Sequence, residues 1–137
     1  MSLKLTKSRK IALFFTILLF IPLTQSIGLA RINGVDLDIQ NIKYEYDTET
    51  DQMVNFEIFV KNKGTEATQS LSFKFEFGNG CGMGFMGPVI IKPGETKIFT
   101  LGSTYRESGK FVVEASVNAP EDVNIKNNLR TAIINIK

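Results

Sequence analysis

Hydrophobic and polar residues alternate along most of the chain beyond its first third, and the alternation is clearest between positions 54 and 77. Two runs carry apolar side chains at every second position: Val54, Phe56, Ile58 and Val60 in the first, then Leu71, Phe73, Phe75 and Phe77 in the second. Successive side chains of an extended chain point to opposite faces, so each run has one apolar face. The two runs therefore predict neighbouring antiparallel or facing strands of an all-β core.

Further strands are predicted on both sides of this pair. From Val35 to Tyr46 the apolar positions change phase between Ile39 and Ile42, which indicates either a β-bulge or a strand that changes sheets. Later strands are predicted at 89–91, 97–101, 111–117 and 129–136, and Pro93-Gly94 is a turn signal. About seven short strands joined by polar turns, without an amphipathic helix, are typical of an immunoglobulin-like, two-sheet antiparallel β-sandwich.

The segment 78–88 interrupts the alternation, because five of the chain's eleven glycines fall within it. Such a segment is predicted to form a loop instead of a regular strand or helix. Cys81, Met83, Phe85 and Met86 would then lie on an exposed tip, so we interpret the segment as a candidate partner-binding loop. Two alternatives are a Cu(I) site made by the three sulfur atoms and an intermolecular disulfide through Cys81. A phosphate-binding loop is excluded by Pro88, since a strand and not a helix follows.

The N-terminus carries a basic head, an apolar run from Ile11 to Leu23, and then Gly28-Leu29-Ala30. This order is typical of a secretory signal peptide cleaved after Ala30. An uncleaved membrane anchor over 11–30 is the other interpretation, although the apolar run is shorter than the roughly 20 residues that span a bilayer. Both interpretations divide the chain into a hydrophobic signal or anchor helix at 1–30 and a domain at 31–137 outside the cytoplasm.

Charge and residue inventory exclude several function classes. The full chain has a net charge of +2, but four of its sixteen basic residues belong to the N-terminal head, leaving twelve against fourteen acidic residues. The domain has no basic stripe, so nucleic acid is not expected as a partner. It has no histidine and one cysteine without an evident base, so no catalytic residue, metal ligand or cofactor site is predicted.

Several smaller features of the domain are also candidates for binding. The acidic turns at 47–51 and 121–124 resemble Ca²⁺ ligands in composition, but solvated turns are the simpler interpretation. Asn127 and Asn128 are expected to hydrogen-bond the backbone of the last loop. Phe59 and Val112 break the polar faces of their strands, and two such residues on one surface would indicate docking.

Three stretches of the domain form a recognisable pattern: Val60-Lys61-Asn62-Lys63-Gly64 (V-x-N-x-G), Ile91-Lys92-Pro93-Gly94-Glu95-Thr96 (L-x-P-G-E-x), and 109–115 with Val117-Asn118 and Asn127-Asn128. Through these motifs the chain from Asp36 onward resembles CARDB, an immunoglobulin-like cell-adhesion-related domain of bacteria and archaea. Two positions depart from the family. Phe111 stands where a tyrosine is common, which removes a corner hydroxyl, and Asn118 stands where an aspartate is common.

The resemblance implies a non-catalytic, extracytoplasmic module for adhesion or protein–protein interaction at the cell envelope. Its partner would be an envelope or surface protein, or a glycan. The alternative is a membrane-anchored structural subunit of a surface filament or stator-like complex, in which copies associate by strand addition. In that case only residues 11–30 would contact the membrane.

Overall fold

The computed structural model describes residues 33–47 and 53–137, so the predicted signal or anchor helix at 1–30 lies outside them. The described part contains seven strands and one 3₁₀ turn: β1 Leu37–Tyr46, β2 Met53–Asn62, β3 Leu71–Glu76, β4 Gly82–Gly87, β5 Thr96–Thr104, β6 Gly109–Asn118, the 3₁₀ turn Ile125–Asn127 and β7 Leu129–Ile136. None of the helical segments within these residues is long and apolar enough to cross a membrane.

The strands form two antiparallel sheets that pack face to face. One sheet has the order β1-β2-β5 and the other has the order β4-β3-β6-β7. The predicted immunoglobulin-like β-sandwich is confirmed. Its core is formed by the apolar faces of both sheets together with apolar residues of the connections: Val35, Leu37, Ile39, Ile42, Val54, Phe56, Ile58, Val60, Leu71, Phe73, Phe75, Phe77, Ile91, Phe99, Tyr105, Val113, Ala115, Val117, Ala119, Ile134 and Ile136.

The two strongest alternating runs face each other across the core instead of pairing side by side. β2 lies in the three-stranded sheet and β3 in the four-stranded sheet. The ring of Phe56 lies 5.1 Å from that of Phe75 and 5.7 Å from that of Phe77, measured between centroids. Aromatic pairs at such distances contribute about 0.5–1.5 kcal/mol beyond the burial of their area. The aromatic alternation therefore joins the two sheets.

The predicted bulge in β1 is confirmed. Ile39 pairs with Val60 and Asn41 pairs with Phe59, so Gln40 is the extra residue on β1. Because one extra residue reverses the inward and outward positions, Ile42 returns to the buried face after two exposed positions.

Asn62 ends β2 and is completely buried. Its side-chain oxygen accepts hydrogen bonds from the N–H groups of Asp36 (3.3 Å) and Gly64 (3.0 Å). Its amide nitrogen donates to the carbonyl oxygens of Glu66 (2.7 Å) and Ile91 (2.9 Å). One side chain thus satisfies backbone groups of three segments, which gives the asparagine of the V-x-N-x-G pattern a structural role.

Two sequence predictions about strands are wrong. The glycine-rich segment forms β4, whose six residues pair with β3 from Leu71↔Gly87 to Glu76↔Gly82. The segment 89–91 was predicted to be a strand, but it is irregular. The hydroxyl of Thr68 donates to the Val89 carbonyl (2.7 Å) and accepts from the Ile91 N–H (2.8 Å). These side-chain bonds attach 89–91 to the loop between β2 and β3. They occupy backbone groups that a strand would otherwise use to pair with a neighbouring strand.

Candidate functional site

β4 is an edge strand, and it differs in charge from the other sheet edges. Among the described residues, no strand pairs with its outer side. β1 carries Lys43 and Glu45, β5 carries Lys97 and β7 carries Arg130, whereas β4 has no charged residue. Charged residues on an edge strand discourage pairing with another chain, so β4 is the edge that lacks this protection.

The outward side of β4 can be identified from its hairpin. The Phe77 N–H donates to the Cys81 carbonyl at 3.0 Å, and this pair continues the register of β3 and β4. Bonded and non-bonded pairs alternate in an antiparallel ladder. Gly82, Gly84 and Met86 therefore direct their N–H and C=O groups away from β3, toward the open edge.

The side chains of β4 lie on two opposite faces. Phe85 faces the sandwich interior, where its ring centroid lies 5.7 Å from that of Phe73 and 5.4 Å from that of Phe99. Met83 shares the parity of Phe85, whereas Met86 points outward and is 84% exposed. Of the four residues of the candidate loop, Met83, Phe85 and Met86 thus lie on β4, and Cys81 directly precedes it. The parity of β4 places Met83 and Met86 on alternate faces of the strand, and the Cu(I) alternative stays a prediction.

A shallow groove of about 710 Å³ follows β4 on the outer face of its sheet. Gly82 leaves room there for Glu76, since a Cβ at Gly82 would lie 2.5 Å from Glu76 Oε2. Glu76 accepts a 2.7 Å ion pair from Lys74, and this carboxylate raises the pKa of Lys74. The Lys74 and Glu76 charges on the wall of the groove therefore pair with each other. Along β4 the groove is lined by glycine backbone and by Met86.

A second hollow of about 530 Å³ lies near Cys81, with Asn79, Arg106 and Glu107 at its rim. Cys81 is exposed and has a free thiol, so the intermolecular disulfide stays a prediction. Beneath it, the buried Tyr105 hydroxyl donates to the Phe77 carbonyl at 2.7 Å.

Tyr105 corrects the inference that a corner hydroxyl is missing from this domain. Burial raises the pKa of Tyr105 to about 12. Its ring lies 4.9 Å from that of Phe111, the position where the resemblance pointed to a missing hydroxyl. A buried tyrosine hydroxyl is therefore present in this region, but it comes from the residue after β5. Sequence reasoning missed Tyr105 because it stands in a connection outside the alternating runs.

A cluster of two aspartates and two asparagines, named here the Asp–Asn cluster, lies where the chain enters β1. Asn127 Nδ2 donates to Asp36 Oδ1 (2.8 Å), and Asn128 Nδ2 donates to Asp122 Oδ2 (3.0 Å). The prediction that these asparagine side chains bond the loop backbone is wrong, because two carboxylates separated from each other by more than eighty residues converge on them.

Asp122 is not the solvated turn residue that the sequence suggested. Its Oδ2 also accepts from the Leu37 N–H (3.1 Å), and its Oδ1 accepts from the Asn124 N–H (2.9 Å). Asp122 therefore fastens the 119–128 loop to the start of β1.

The side-chain oxygens of Asn127 and Asn128 are buried, and no hydrogen-bond donor among residues 33–47 and 53–137 reaches them. Leaving a buried acceptor unsatisfied costs about 1–3 kcal/mol. The described residues contain no group of three or more His, Cys, Asp or Glu side chains suited to a metal. In the Asp–Asn cluster the amide nitrogens, and not the amide oxygens, face the two carboxylates.

The two apolar residues on the polar strand faces, Phe59 and Val112, do not lie close together in the fold. Phe59 lies on β2 and Val112 on β6, in different sheets, so they do not form one surface. Phe59 is covered in part by Lys43, whose Nζ lies 4.7 Å from the ring centroid. In the predicted acidic turn at 47–51, positions 48–51 lie outside the described residues.

Comparison with solved structures identifies the same fold in CARDB domains. The crystal structure of the CARDB domain of a Pyrococcus furiosus protein, described as a complex with di-metal ions, matches with a TM-score of 0.63 and 23% identity, covering 78% of this chain and 92% of that one. A solution NMR structure of that domain matches with a TM-score of 0.59 and 24% identity, covering 76% and 96%. No family model and no curated protein matches the chain. The predicted CARDB-like fold is confirmed.

Proposed function

We propose that this domain is a non-catalytic, extracytoplasmic interaction module that binds an extended segment of an envelope or surface protein along β4. The observation that carries the proposal is the uncharged edge of Gly82–Gly87, with which no other strand of the described residues pairs on its outer side. Strand addition uses the backbone groups of such an edge for affinity and alternate side-chain contacts for specificity.

The side chains of β4 suit this mode of binding. Met86 is 84% exposed, and Met83 and Phe85 are 49% and 39% exposed. Met and Phe supply adaptable apolar contact area, and both types are enriched at protein interfaces. The glycines add no side chains to the outer face, so an incoming strand can approach the backbone closely. An apolar, uncharged peptide in extended conformation is the expected ligand.

The extracytoplasmic location rests on two observations. The basic head and the apolar run of 11–23 are typical of export or anchoring. The CARDB-like fold is the second, and it supports location only by analogy of fold. N-terminal sequencing of the native protein tests the first: a start at Arg31 means a released domain, and an intact N-terminus means an anchor.

The binding proposal is tested by a matched pair of substitutions at one position. Met86→Ala removes the exposed side chain but keeps the outward N–H, whereas Met86→Pro removes that N–H as well. The Met86 N–H is not bonded to β3, so proline is tolerated in this edge position. Wild type and both variants are used to capture partners from an envelope extract, and bound proteins are compared quantitatively.

Strand addition predicts that Met86→Pro abolishes capture of a partner that Met86→Ala still retains in part. If all three proteins capture the same partner equally, β4 is not the binding edge. Equal loss in both variants assigns recognition to the Met86 side chain and contradicts strand addition.

The second candidate is a structural subunit whose copies pair through β4, as in a surface filament or stator-like complex. Its support is that an uncharged strand pairs antiparallel with its own copy about a two-fold axis without like-charge repulsion. Sedimentation of the purified chain distinguishes the two functions. Concentration-dependent association that Met86→Pro abolishes favours self-pairing, and a monomer at all concentrations favours a different partner.

A further inference from the structure

β7 is the other edge strand of the four-stranded sheet, and its ladder with β6 determines which of its backbone groups face outward. The Val117 N–H donates to the Asn128 carbonyl at 2.9 Å, and this pair continues the register of β6 and β7. Bonded and non-bonded pairs alternate in an antiparallel ladder. Asn135 and Lys137 therefore direct their N–H and C=O groups away from β6, toward the outer side of the sheet.

The sequence of β7 is well suited to pairing with another chain. The segment 131–136 contains no charged residue, no proline and no glycine, and four of its six residues are β-branched. The side chain of Ile133, in the middle of the segment, is 69% exposed. Segments of this length and composition on a sheet edge favour association between copies of a chain. The charged residue of β7, Arg130, precedes the segment, so charge alone does not protect it.

Two tyrosine hydroxyls from β1 occupy outward backbone groups at the end of β7. Tyr44 Oη accepts a hydrogen bond from the Asn135 N–H (3.4 Å). Tyr46 Oη donates to the Asn135 carbonyl and accepts from the Lys137 N–H, the latter at 3.0 Å. An incoming strand would need these same N–H and C=O groups. The hydroxyls therefore interrupt the row of backbone groups along which another strand could pair.

The bonds between β1 and β7 follow the pattern of a parallel ladder. The Arg130 guanidinium donates to the Ile39 carbonyl across a separation of 91 positions, and the bond from Lys137 to Tyr46 spans the same 91 positions, so the two strands run parallel. In a parallel ladder one residue donates to a carbonyl and accepts from the N–H two positions further along the neighbour. The Tyr46 hydroxyl makes this pair of bonds with Asn135 and Lys137. It takes the place of a peptide unit of a neighbouring strand.

The tyrosine rings are positioned by β1 and the core. Beyond the bulge, Tyr44 and Tyr46 share the inward parity of the buried Ile42. The Tyr44 ring centroid lies 6.4 Å from that of Phe56 and 6.5 Å from that of Tyr46. These ring contacts do not involve the hydroxyls. Replacing tyrosine with phenylalanine therefore removes the bonds to β7 and keeps the aromatic packing.

We propose that Tyr44 and Tyr46 close the β7 edge against strand pairing with a second copy of this chain. Without the two hydroxyls, 131–136 offers its outward groups to the same segment of another molecule, and the two copies pair antiparallel about a two-fold axis. A second copy fits this edge because an uncharged segment meets itself without like-charge repulsion. The inference concerns an edge other than β4 and does not depend on the proposed function.

The experiment compares wild type with the double variant Tyr44→Phe/Tyr46→Phe. Both are prepared as the full 137-residue chain in a mild non-ionic detergent, which accommodates the apolar run of 11–23. Amide hydrogen exchange is followed by NMR at low protein concentration, and association is measured by sedimentation over a range of concentrations. Since one net hydrogen bond changes an equilibrium about two- to tenfold, exchange at Asn135 and Lys137 should rise at least about twofold. With all three bonds lost, the association constant should rise about tenfold or more.

Three matched variants separate edge opening from other effects. Tyr105→Phe removes a buried tyrosine hydroxyl that bonds the Phe77 carbonyl, so it should cost stability without raising association or exchange at Asn135. Ile133→Lys, added to the double variant, places a charge at an exposed position of the edge and should return association to the wild-type level. Met86→Pro, added to the double variant, should leave the gain in association unchanged, because it alters β4 only.

Two results of the double variant overturn the proposal directly. Unchanged exchange at Asn135 and Lys137 would mean that the hydroxyls do not hold these groups. Faster exchange without increased association would mean that the bonds are not what prevents pairing.

The matched variants supply the other contrary outcomes. If Tyr105→Phe associates as strongly as the double variant, a general loss of stability is the cause. If Ile133→Lys leaves the gain in association intact, or Met86→Pro abolishes it, the pairing does not use β7. Should the double variant not fold, Tyr46→Phe alone, which removes two of the three bonds, is judged by the same criteria.

Discussion

Replacing Asn62 with alanine is the most direct test of how this fold is held together. The buried amide of Asn62 accepts from two N–H groups, those of Asp36 and Gly64, and donates to two carbonyls, those of Glu66 and Ile91. Alanine removes all four bonds and leaves a hole of amide size. Within the part of the chain that the structure describes, only the Ile91 carbonyl keeps another partner, since it also accepts from the Thr68 N–H.

The expected loss of stability follows from three backbone groups that lose their partner, the N–H groups of Asp36 and Gly64 and the carbonyl of Glu66. An unsatisfied buried donor or acceptor costs about 1–3 kcal/mol. The Glu66 carbonyl belongs to an exposed residue and can bond water, so most of the cost comes from the two N–H groups. We therefore expect Asn62→Ala to lower the free energy of unfolding by about 3 kcal/mol or more. This is a large share of the about 5–15 kcal/mol that stabilises a typical domain.

Urea unfolding followed by far-ultraviolet circular dichroism measures this loss, because the chain has no tryptophan for fluorescence. With a slope of about 1.5 kcal/mol per molar urea, the midpoint should move down by about 2 M. Asn118→Ala is the matched control: Asn118 is exposed on β6, and its replacement should change stability by less than about 0.5 kcal/mol. A loss below about 1 kcal/mol for Asn62→Ala, the scale of a single ordinary hydrogen bond, would refute the reasoning.

Three further predictions concern pH, glycine and the core. Because the Tyr105 pKa is raised from 10.0 to about 12, its stabilising effect is complete below pH 10 and is lost between pH 10 and 12. Tyr105→Phe should therefore flatten the fall in stability over that range, which is at most about 1.4 kcal/mol per pH unit. Gly78→Ala should destabilise by about 3 kcal/mol and Gly80→Ala by about 1 kcal/mol, as measured by urea unfolding. Both have positive φ, but only a Cβ at Gly78 meets a neighbour, the Val112 carbonyl oxygen at 2.3 Å. Phe56→Ala should cost about 3–5 kcal/mol in the same assay, because the ring is completely buried between the sheets.

Each of these three predictions has an outcome that would contradict it. An unchanged alkaline profile in Tyr105→Phe would mean that other groups set the loss of stability at high pH. Equal costs at Gly78 and Gly80 would mean that the left-handed backbone, and not the close carbonyl, controls both positions. A cost below about 1 kcal/mol at Phe56 would contradict tight packing at the centre of the sandwich.

The sequence predicted the architecture well because side-chain alternation is a local property. The runs containing Phe56 and Phe75 have period two over their whole length, and burial of one face per strand leaves few other folds. The phase change before Ile42 located the bulge for the same reason. By contrast, β4 was missed because glycine has low intrinsic preference for strands. Pairing with β3 and the contact of Phe85 with Phe73 and Phe99 decide that segment, and neither can be read from the segment itself.

The Asp–Asn cluster and the Thr68 contacts show a different limit. Asp36 and Asn127 are separated by 91 positions, so no spacing rule connects them. Ile91 has the apolar, β-branched surroundings of a strand, yet its N–H bonds to a hydroxyl 23 positions away. Such side-chain bonds depend on which loops the finished fold places side by side. The secondary-structure propensity of a local segment cannot predict these bonds.

The sheet order also constrains how this chain reaches its native state. Three of the five strand pairings join consecutive strands and are hairpins. The other two, β2 with β5 and β3 with β6, join strands that are distant in the sequence. Both sheets therefore require long loops to close before their central strands are fully covered, a topology that slows folding to about milliseconds to seconds. During that interval the β3–β4 hairpin can form early while its phenylalanine face still lacks β2 opposite it. Refolding yield should consequently fall with protein concentration, because this exposed phenylalanine face favours association between chains.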